Sequence, residues 1–201
     1  MKSASAIIIL VAVLSGCSNQ AIREPATALD WQQHSAQISQ VENWQLQGKL
    51  GFKNIDQGGS ANLTWLQRQQ QYQLSLSGPF GAGSATIVGD QYLAQMKQGT
   101  ETYSNSPESL ALQLTGLAIP VDALSWWARG LPSPTKTEAN NLVSTPTGEA
   151  ASFEQAGWQL SFSRYTRKNN LSLPGKITGQ LGGQSFKLVI SGWSFPQPAA
   201  Q

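Results

Sequence analysis

One cysteine and one histidine are all that this 201-residue chain contains of either type. A single Cys permits no internal disulfide, and the two residues together cannot build a Cys- or His-based metal centre. Charge is scarce too. Lys+Arg 13 against Asp+Glu 11 make up 12% of the chain and leave a net charge of +2. That balance supplies little field for nucleic acid, and no basic run concentrates it. A serine-hydrolase elbow is missing: Gly58-Gly59-Ser60-Ala61-Asn62 lacks the last Gly of G-x-S-x-G, and His34 precedes that Ser. No apolar run is long enough to span a bilayer as a helix. What the chain does have is 40% hydrophobic residues, seven Trp among them, enough for a core and incompatible with disorder. Its length suits one medium domain.

The N-terminus reads as an address. Lys2 supplies a positive start, Ala6 to Leu14 an apolar h-region, and Ser15-Gly16 small residues before Cys17. Leu14-Ser15-Gly16-Cys17 resembles the bacterial lipobox, in which the Cys is acylated and the signal is cut before it. An ordinary secretory signal is the alternative; the sole Cys falling at this position favours lipidation. Ser18, rather than Asp, points to the outer membrane by analogy with enterobacterial lipoproteins. The expected organisation is a signal peptide over 1–16, a lipidated tether over 17–29, one domain over 30–195 and a frayed tail over 196–201.

A short helix is expected from Asp30 to Val41, with Trp31, Ile38 and Val41 inward. The period then changes to two. Trp44, Leu46, Leu50 and Phe52 alternate with Gln45, Gln47 and Lys49. Further strands are expected at Ala61–Trp65, Tyr72–Leu76, Ala85–Val88 and Tyr92–Met96, joined by turn signals. Ser106-Pro107-Glu108 reads as an N-cap with Pro in the first turn of a helix that Gly116 closes. A second helix runs from Val121 to Arg129 and stops at Gly130-Leu131-Pro132. Strands resume at Ser152–Glu154, Trp158–Phe162, Leu171–Ile177 and Phe186–Ile190, with Pro174 implying an edge or a bulge. The fold class is mainly β with short helices: one curved antiparallel sheet, an open barrel with two helices against or inside it.

Such a curl is either filled by its own side chains or encloses a cavity. Periodicity alone favours filling. The inward candidates are Trp44, Leu46, Leu50, Phe52, Leu63, Trp65, Leu74, Leu76, Ile87, Phe186, Leu188 and Ile190.

The segment from Leu114 to Pro132, LTGLAIPVDALSWWARGLP, resembles the LTG-x-x-IP…L-x-x-W-x-x-GLP stretch of the LolB family of outer-membrane lipoprotein receptors. Leu76-Ser77-Gly78-Pro79-Phe80-Gly81 is similar to that family's strand and protruding loop. The lipobox, the strand series and the closing Gly192-Trp193 agree in order. This resemblance implies an open antiparallel barrel with a helical lid and a hydrophobic cavity. Its implied function is to accept lipoproteins from a soluble periplasmic carrier (LolA) and place them in the inner leaflet of the outer membrane. No nucleotide, metal or other cofactor is implied.

The acyl-chain cavity is then expected to use the inward residues above except Ile190, together with Trp127 of the second helix, where Trp126 and Leu124 are otherwise ordinary packing residues. Pro79, Phe80 and Gly81 form the expected membrane-insertion loop, with Phe80 in place of the family's common Leu and still apolar. Apart from the resemblance, Phe80 reads as ordinary turn packing. The expected partners are the carrier, client acyl chains and outer-membrane lipid; the expected state is a monomer facing the periplasm. Two other classes stay open on the residues alone: an enzyme built on an unrecognised polar pair, and an anchored binding or structural lipoprotein for another apolar ligand or for envelope assembly. A soluble carrier is disfavoured by the lipobox.

Overall fold

The computed structural model describes residues 28–78 and 83–196. The signal segment, Cys17 and the chain to residue 27, the loop of Pro79, Phe80 and Gly81, and the residues after 196 lie outside that description.

Helix α1 (Ala28–Ser39) leads into β1 (Asn43–Lys53), β2 (Gly58–Arg68), β3 (Gln71–Ser77), β4 (Ser84–Gly89), β5 (Ala94–Gln98) and β6 (Glu101–Asn105). Two helices interrupt, α2 (Pro107–Thr115) and α3 (Val121–Ala128). The chain returns through β7 (Asn140–Ser144), β8 (Ala150–Gln155), β9 (Trp158–Ser163), β10 (Thr166–Lys168), β11 (Leu171–Leu173), β12 (Lys176–Leu181) and β13 (Gln184–Ser194). Eleven strands form one antiparallel sheet in the order β6-β5-β4-β3-β2-β1-β13-β12-β9-β8-β7, and β10 and β11 make a separate hairpin. The edges β6 and β7 do not pair, so the sheet is open.

Register gathers the apolar residues on one face. Leu46 lies across from Trp65 and from Trp193, Leu50 from Leu188, and Phe52 from Phe186. Trp65 continues to Leu74, and Leu74 to Ile87. With a period of two, a slip of one residue would turn this whole set to water, so the pattern itself locks the pairing. On the same side α2 and α3 contribute Leu110, Ala123 and Trp127 to a single core. Trp44 packs at 5.1 Å from Trp65 and 5.5 Å from Trp193 between ring centroids. Each such side chain, once fully buried, contributes about 1.5–3 kcal/mol.

Capping sets α2. Ser106 Oγ accepts the Ser109 N–H at 3.2 Å, Pro107 stands in the first turn, and Gly116 closes the helix at φ 67°. A Cβ at Gly116 would stand 2.3 Å from Asn54 Nδ2, so both the left-handed backbone and the close approach of the β1–β2 turn require glycine. Asn54 Nδ2 donates to the Gly116 carbonyl at 3.2 Å and fastens the two.

Several sequence expectations shift. The strand expected at Tyr92–Met96 is Ala94–Gln98, because Asp90 Oδ1 accepts the N–H groups of Tyr92 and Leu93 and holds them in a turn. The run Leu171–Ile177 divides at Pro174-Gly175 into β11 and β12; Gly175 lies so close to the Arg164 carbonyl that a Cβ would approach it to 2.4 Å. Helix α1 begins at Ala28, ahead of Asp30, and ends at Ser39 rather than Val41. The second expected helix stops at Ala128, where Arg129 takes over as cap. Strands β6 and β7 carry mostly exposed residues and so have no alternation to read.

Candidate functional site

The residues expected to line a cavity do come together. Trp44, Leu46, Leu63, Trp65, Ile87, Trp127, Phe186 and Leu188 are buried, and Leu50, Phe52, Leu74, Leu76 and Ile190 are half-buried against them. They fill the inner side of the sheet together with the helices. Open volume lies at one end, in a cleft of about 1090 Å³ where Trp44 and Trp65 meet α3. That size is at the upper end for small-molecule sites.

The cleft opens where β2 turns into β3 and β4 into β5, beside the joint between α1 and β1. Ser77 and Ser84, which bracket the Phe80 loop, lie at the opposite end of β3 and β4. The wall grades from apolar to polar. Trp44, Trp65, Tyr72 and the buried Gln67 from the inner face give way to Gln69 and Gln71 at the rim. Gln67 is spoken for: its Oε1 accepts from Trp65 Nε1 at 3.0 Å and its Nε2 donates to the Gln69 carbonyl at 2.8 Å.

On the helix side stand Asp122, Trp126 and Arg129. Arg129 is buried, 5% exposed, and no carboxylate bonds to it. Its Nη1 donates to the carbonyls of Ile38 (3.3 Å) and Val41 (2.8 Å), its Nε to that of Ser125 (3.2 Å). Its guanidinium carbon lies 4.5 Å from the centroid of the Trp126 ring. Burial draws its pKa down to about 10, opposed by the charge of Glu42. Carbonyl dipoles and a ring face thus replace water around the cation.

Asp122 Oδ2 receives Thr135 Oγ1 at 2.8 Å and Lys136 Nζ at 3.0 Å. Trp127 is fixed from behind: its Nε1 donates to Gln155 Oε1 at 2.8 Å, and Gln155 Nε2 holds the carbonyls of Ser133 and Thr137. Tyr72, Arg129 and the Gln67–Gln71 run were not singled out by sequence reasoning. The first two read as ordinary strand and helix positions, and the third as a polar connector.

With this geometry in hand, comparison with known proteins decides the family. Residues 42–193 match the family described as outer membrane lipoprotein LolB. This chain belongs to the LolB family. It is 38% identical over 192 residues to the outer-membrane lipoprotein LolB of Ectopseudomonas mendocina, covering 92% of each chain. It is 37% identical over 191 residues to that of Pseudomonas paraeruginosa, covering 91% of each. In fold it is similar to a LolA superfamily protein from Nitrosomonas europaea, with a TM-score of 0.59 at 8% identity, over 85% of this chain and 93% of that one. The LolB family is one of outer-membrane lipoproteins and not of enzymes, which agrees with the location expected from the lipobox.

Proposed function

We propose that this protein accepts lipoproteins from a soluble periplasmic carrier and places them in the inner leaflet of the outer membrane without nucleotide hydrolysis. Its coarser role, outer-membrane lipoprotein localisation, follows from membership of the LolB family. The observation that carries the finer reading is the continuous apolar cluster on the concave side of an unclosed sheet, with a cleft at its end.

A sixteen-carbon chain in water costs on the order of 12 kcal/mol at roughly 0.8 kcal/mol per methylene, so transit needs an apolar shelter. The acyl chains take their place between the concave face and α2–α3, displacing the contacts by which the helices now close it. Handover needs no energy source: the chains go to whichever site binds them more tightly, from carrier to receptor to bilayer. Cys17 anchors the protein, and Phe80 assists insertion rather than uptake. The bracketing of its loop at the end opposite the cleft supports that division of labour.

The test is transfer. The lipidated protein is reconstituted in vesicles, mixed with carrier loaded with a labelled lipoprotein, and the label is followed without ATP. Label should leave the carrier and enter the vesicle bilayer. Vesicles that gain no more label with the protein than without it would refute the reading.

A further inference from the structure

Among the described residues, four buried side-chain polar atoms have no hydrogen-bond partner: Trp44 Nε1, Tyr72 Oη, Asp122 Oδ1 and His34 Nε2. The first three belong to residues that line the same cleft. A buried polar atom left unpaired is costly, so chance seldom gathers three around one opening. Trp44 is 0% exposed and Tyr72 7%. Both stand in the cross-strand row Trp44–Gln67–Tyr72, separated by the already engaged Gln67. The row therefore offers two neutral donors, an indole N–H and a phenol O–H, on strands whose backbones stand about 10 Å apart. Asp122, on the opposite wall, offers one free acceptor.

We propose that this cleft recognises the polar head of a triacylated lipoprotein, the N-acyl-S-diacylglyceryl cysteine, whose carbonyls accept from Trp44 and Tyr72 and whose amide N–H donates to Asp122. The inference rests on the receptor reading and deepens it by naming the part of the client that is read.

The chemistry matches in three respects. The head is uncharged, since its amine is acylated, and the free donors are uncharged as well. It carries two ester carbonyls and one amide carbonyl, more than one acceptor for a pair of separated donors. It has one N–H, which the glyceryl esters of a phospholipid lack, for the single free acceptor. The wall also runs from polar at the rim to apolar at Trp65, so a head held at this row directs its acyl chains onto the concave face and its peptide outward past the glutamines. All three atoms are screened from water in the closed form. Binding therefore requires the wall to part, with Trp126 and α3 moving off the row as the chains enter.

The test uses the full chain in nanodiscs, loaded from the carrier with a dansyl-labelled N-palmitoyl-S-dipalmitoylglyceryl-cysteinyl peptide. Binding is read by energy transfer from tryptophan. A second probe replaces every carbonyl linkage by an ether or amine, and a third is methylated on the amide nitrogen. Tyr72→Phe should weaken the first probe about five- to tenfold and leave the ether probe unchanged, with no loss of thermal stability, because the hydroxyl bonds to nothing in the free protein. Amide methylation should weaken binding about threefold in the wild type and have no effect in Asp122→Asn, provided that variant melts as the wild type does.

Equal effects of Tyr72→Phe on the carbonyl and ether probes, or no effect on either, would overturn the proposal. Short-chain phosphatidylglycerol competing as well as unlabelled lipopeptide would overturn the assignment to a lipoprotein head in favour of any glyceryl ester. If the wild type takes up neither acylated probe, the receptor reading itself fails.

Discussion

Arg129 Nη1 donates to the carbonyl of Val41 at 2.8 Å, so the end of α3 is fastened to the joint between α1 and β1. Neither partner is a carboxylate, and the cation rests on backbone dipoles and the Trp126 ring. Replacing Arg129 by Met would keep most of the packing and remove the charge, but would take the guanidinium donor from the Val41 carbonyl, while the Ile38 carbonyl keeps the Val41 N–H. A loss of about 1–3 kcal/mol is expected, measured by urea unfolding. Arg129→Lys should not recover it, since one ammonium cannot reproduce the fork that reaches Ser125 and Val41 together. Because α3 is one wall of the cleft, Arg129→Met should also speed uptake of a fluorescent acyl probe in stopped flow. Unfolding at wild-type urea concentrations in Arg129→Met would contradict the fastening.

Gln155 is the second restraint on α3. It is 2% exposed and serves Trp127 Nε1, the Ser133 N–H, and the carbonyls of Ser133 and Thr137. Gln155→Leu keeps volume but leaves three buried groups without a partner, Trp127 Nε1 and the N–H and carbonyl of Ser133, and releases the more exposed Thr137 carbonyl. Trp127→Phe leaves only one acceptor lone pair free and a modest cavity. Gln155→Leu should therefore destabilise at least as much as Trp127→Phe, by about 2–5 kcal/mol. The ordering of the two thermal midpoints checks this, and a near-wild-type Gln155→Leu would show the network to be dispensable.

Gly116→Ala meets three obstacles, a left-handed φ of 67°, a 2.3 Å approach to Asn54 Nδ2 and a 2.8 Å approach to Gln57 Nε2. Asn54→Ala removes the closest approach but not the left-handed backbone, and it frees the turn that holds Gln57, since Asn54 Oδ1 accepts from Asp56 and Gln57. The cost of Gly116→Ala should therefore be about 1–3 kcal/mol in the wild type and smaller, though not zero, in an Asn54→Ala background. A double-mutant cycle by denaturant unfolding measures the difference. Additive costs would mean that the contact relaxes freely.

How much of this was legible beforehand follows from the kind of signal each residue carries. Trp44, Leu46, Leu63 and Trp65 were readable because a half-buried strand writes its inner face at every second position. Ser106, Pro107 and Gly116 were readable because caps are chemical as well as positional. Strands β6 and β7 were not: at a sheet edge, residues such as Glu101, Thr102 and Asn141 face water on both sides and the pattern vanishes. Tyr92 and Leu93 look like strand, yet the short side-chain carboxylate of Asp90 overrides their propensity. Arg129 and Tyr72 were hidden for another reason. Their significance lies in the partners that register and helix packing bring, or fail to bring, to their polar atoms, and spacing along one chain does not encode that.

Acid should loosen the β7–β8 turn. Burial pushes the Glu149 carboxyl up, but hydroxyls of Thr145, Thr147 and Ser172 and its own backbone N–H outweigh it and bring the pKa to about 2. A carboxylate with a folded pKa below its unfolded value stabilises fully above the unfolded value near 4.5, and that contribution is lost as pH falls from there towards 2. His34 acts in a higher window. Burial lowers its pKa below 6.5, with Glu149 opposing. The unfolded chain therefore binds the proton more readily, and stability declines as pH drops below 6.5. Two changes of slope are expected in unfolding free energy against pH. Glu149→Gln should flatten the lower one and His34→Phe the upper, the second more strongly in a Glu149→Gln background, because loss of the opposing charge lowers the folded His34 pKa further and enlarges its share of the pH dependence. Thermal midpoints from pH 2 to 8 measure both. A Glu149→Gln profile parallel to wild type below pH 4.5 would show that the hydroxyl cage does not hold the carboxylate in solution.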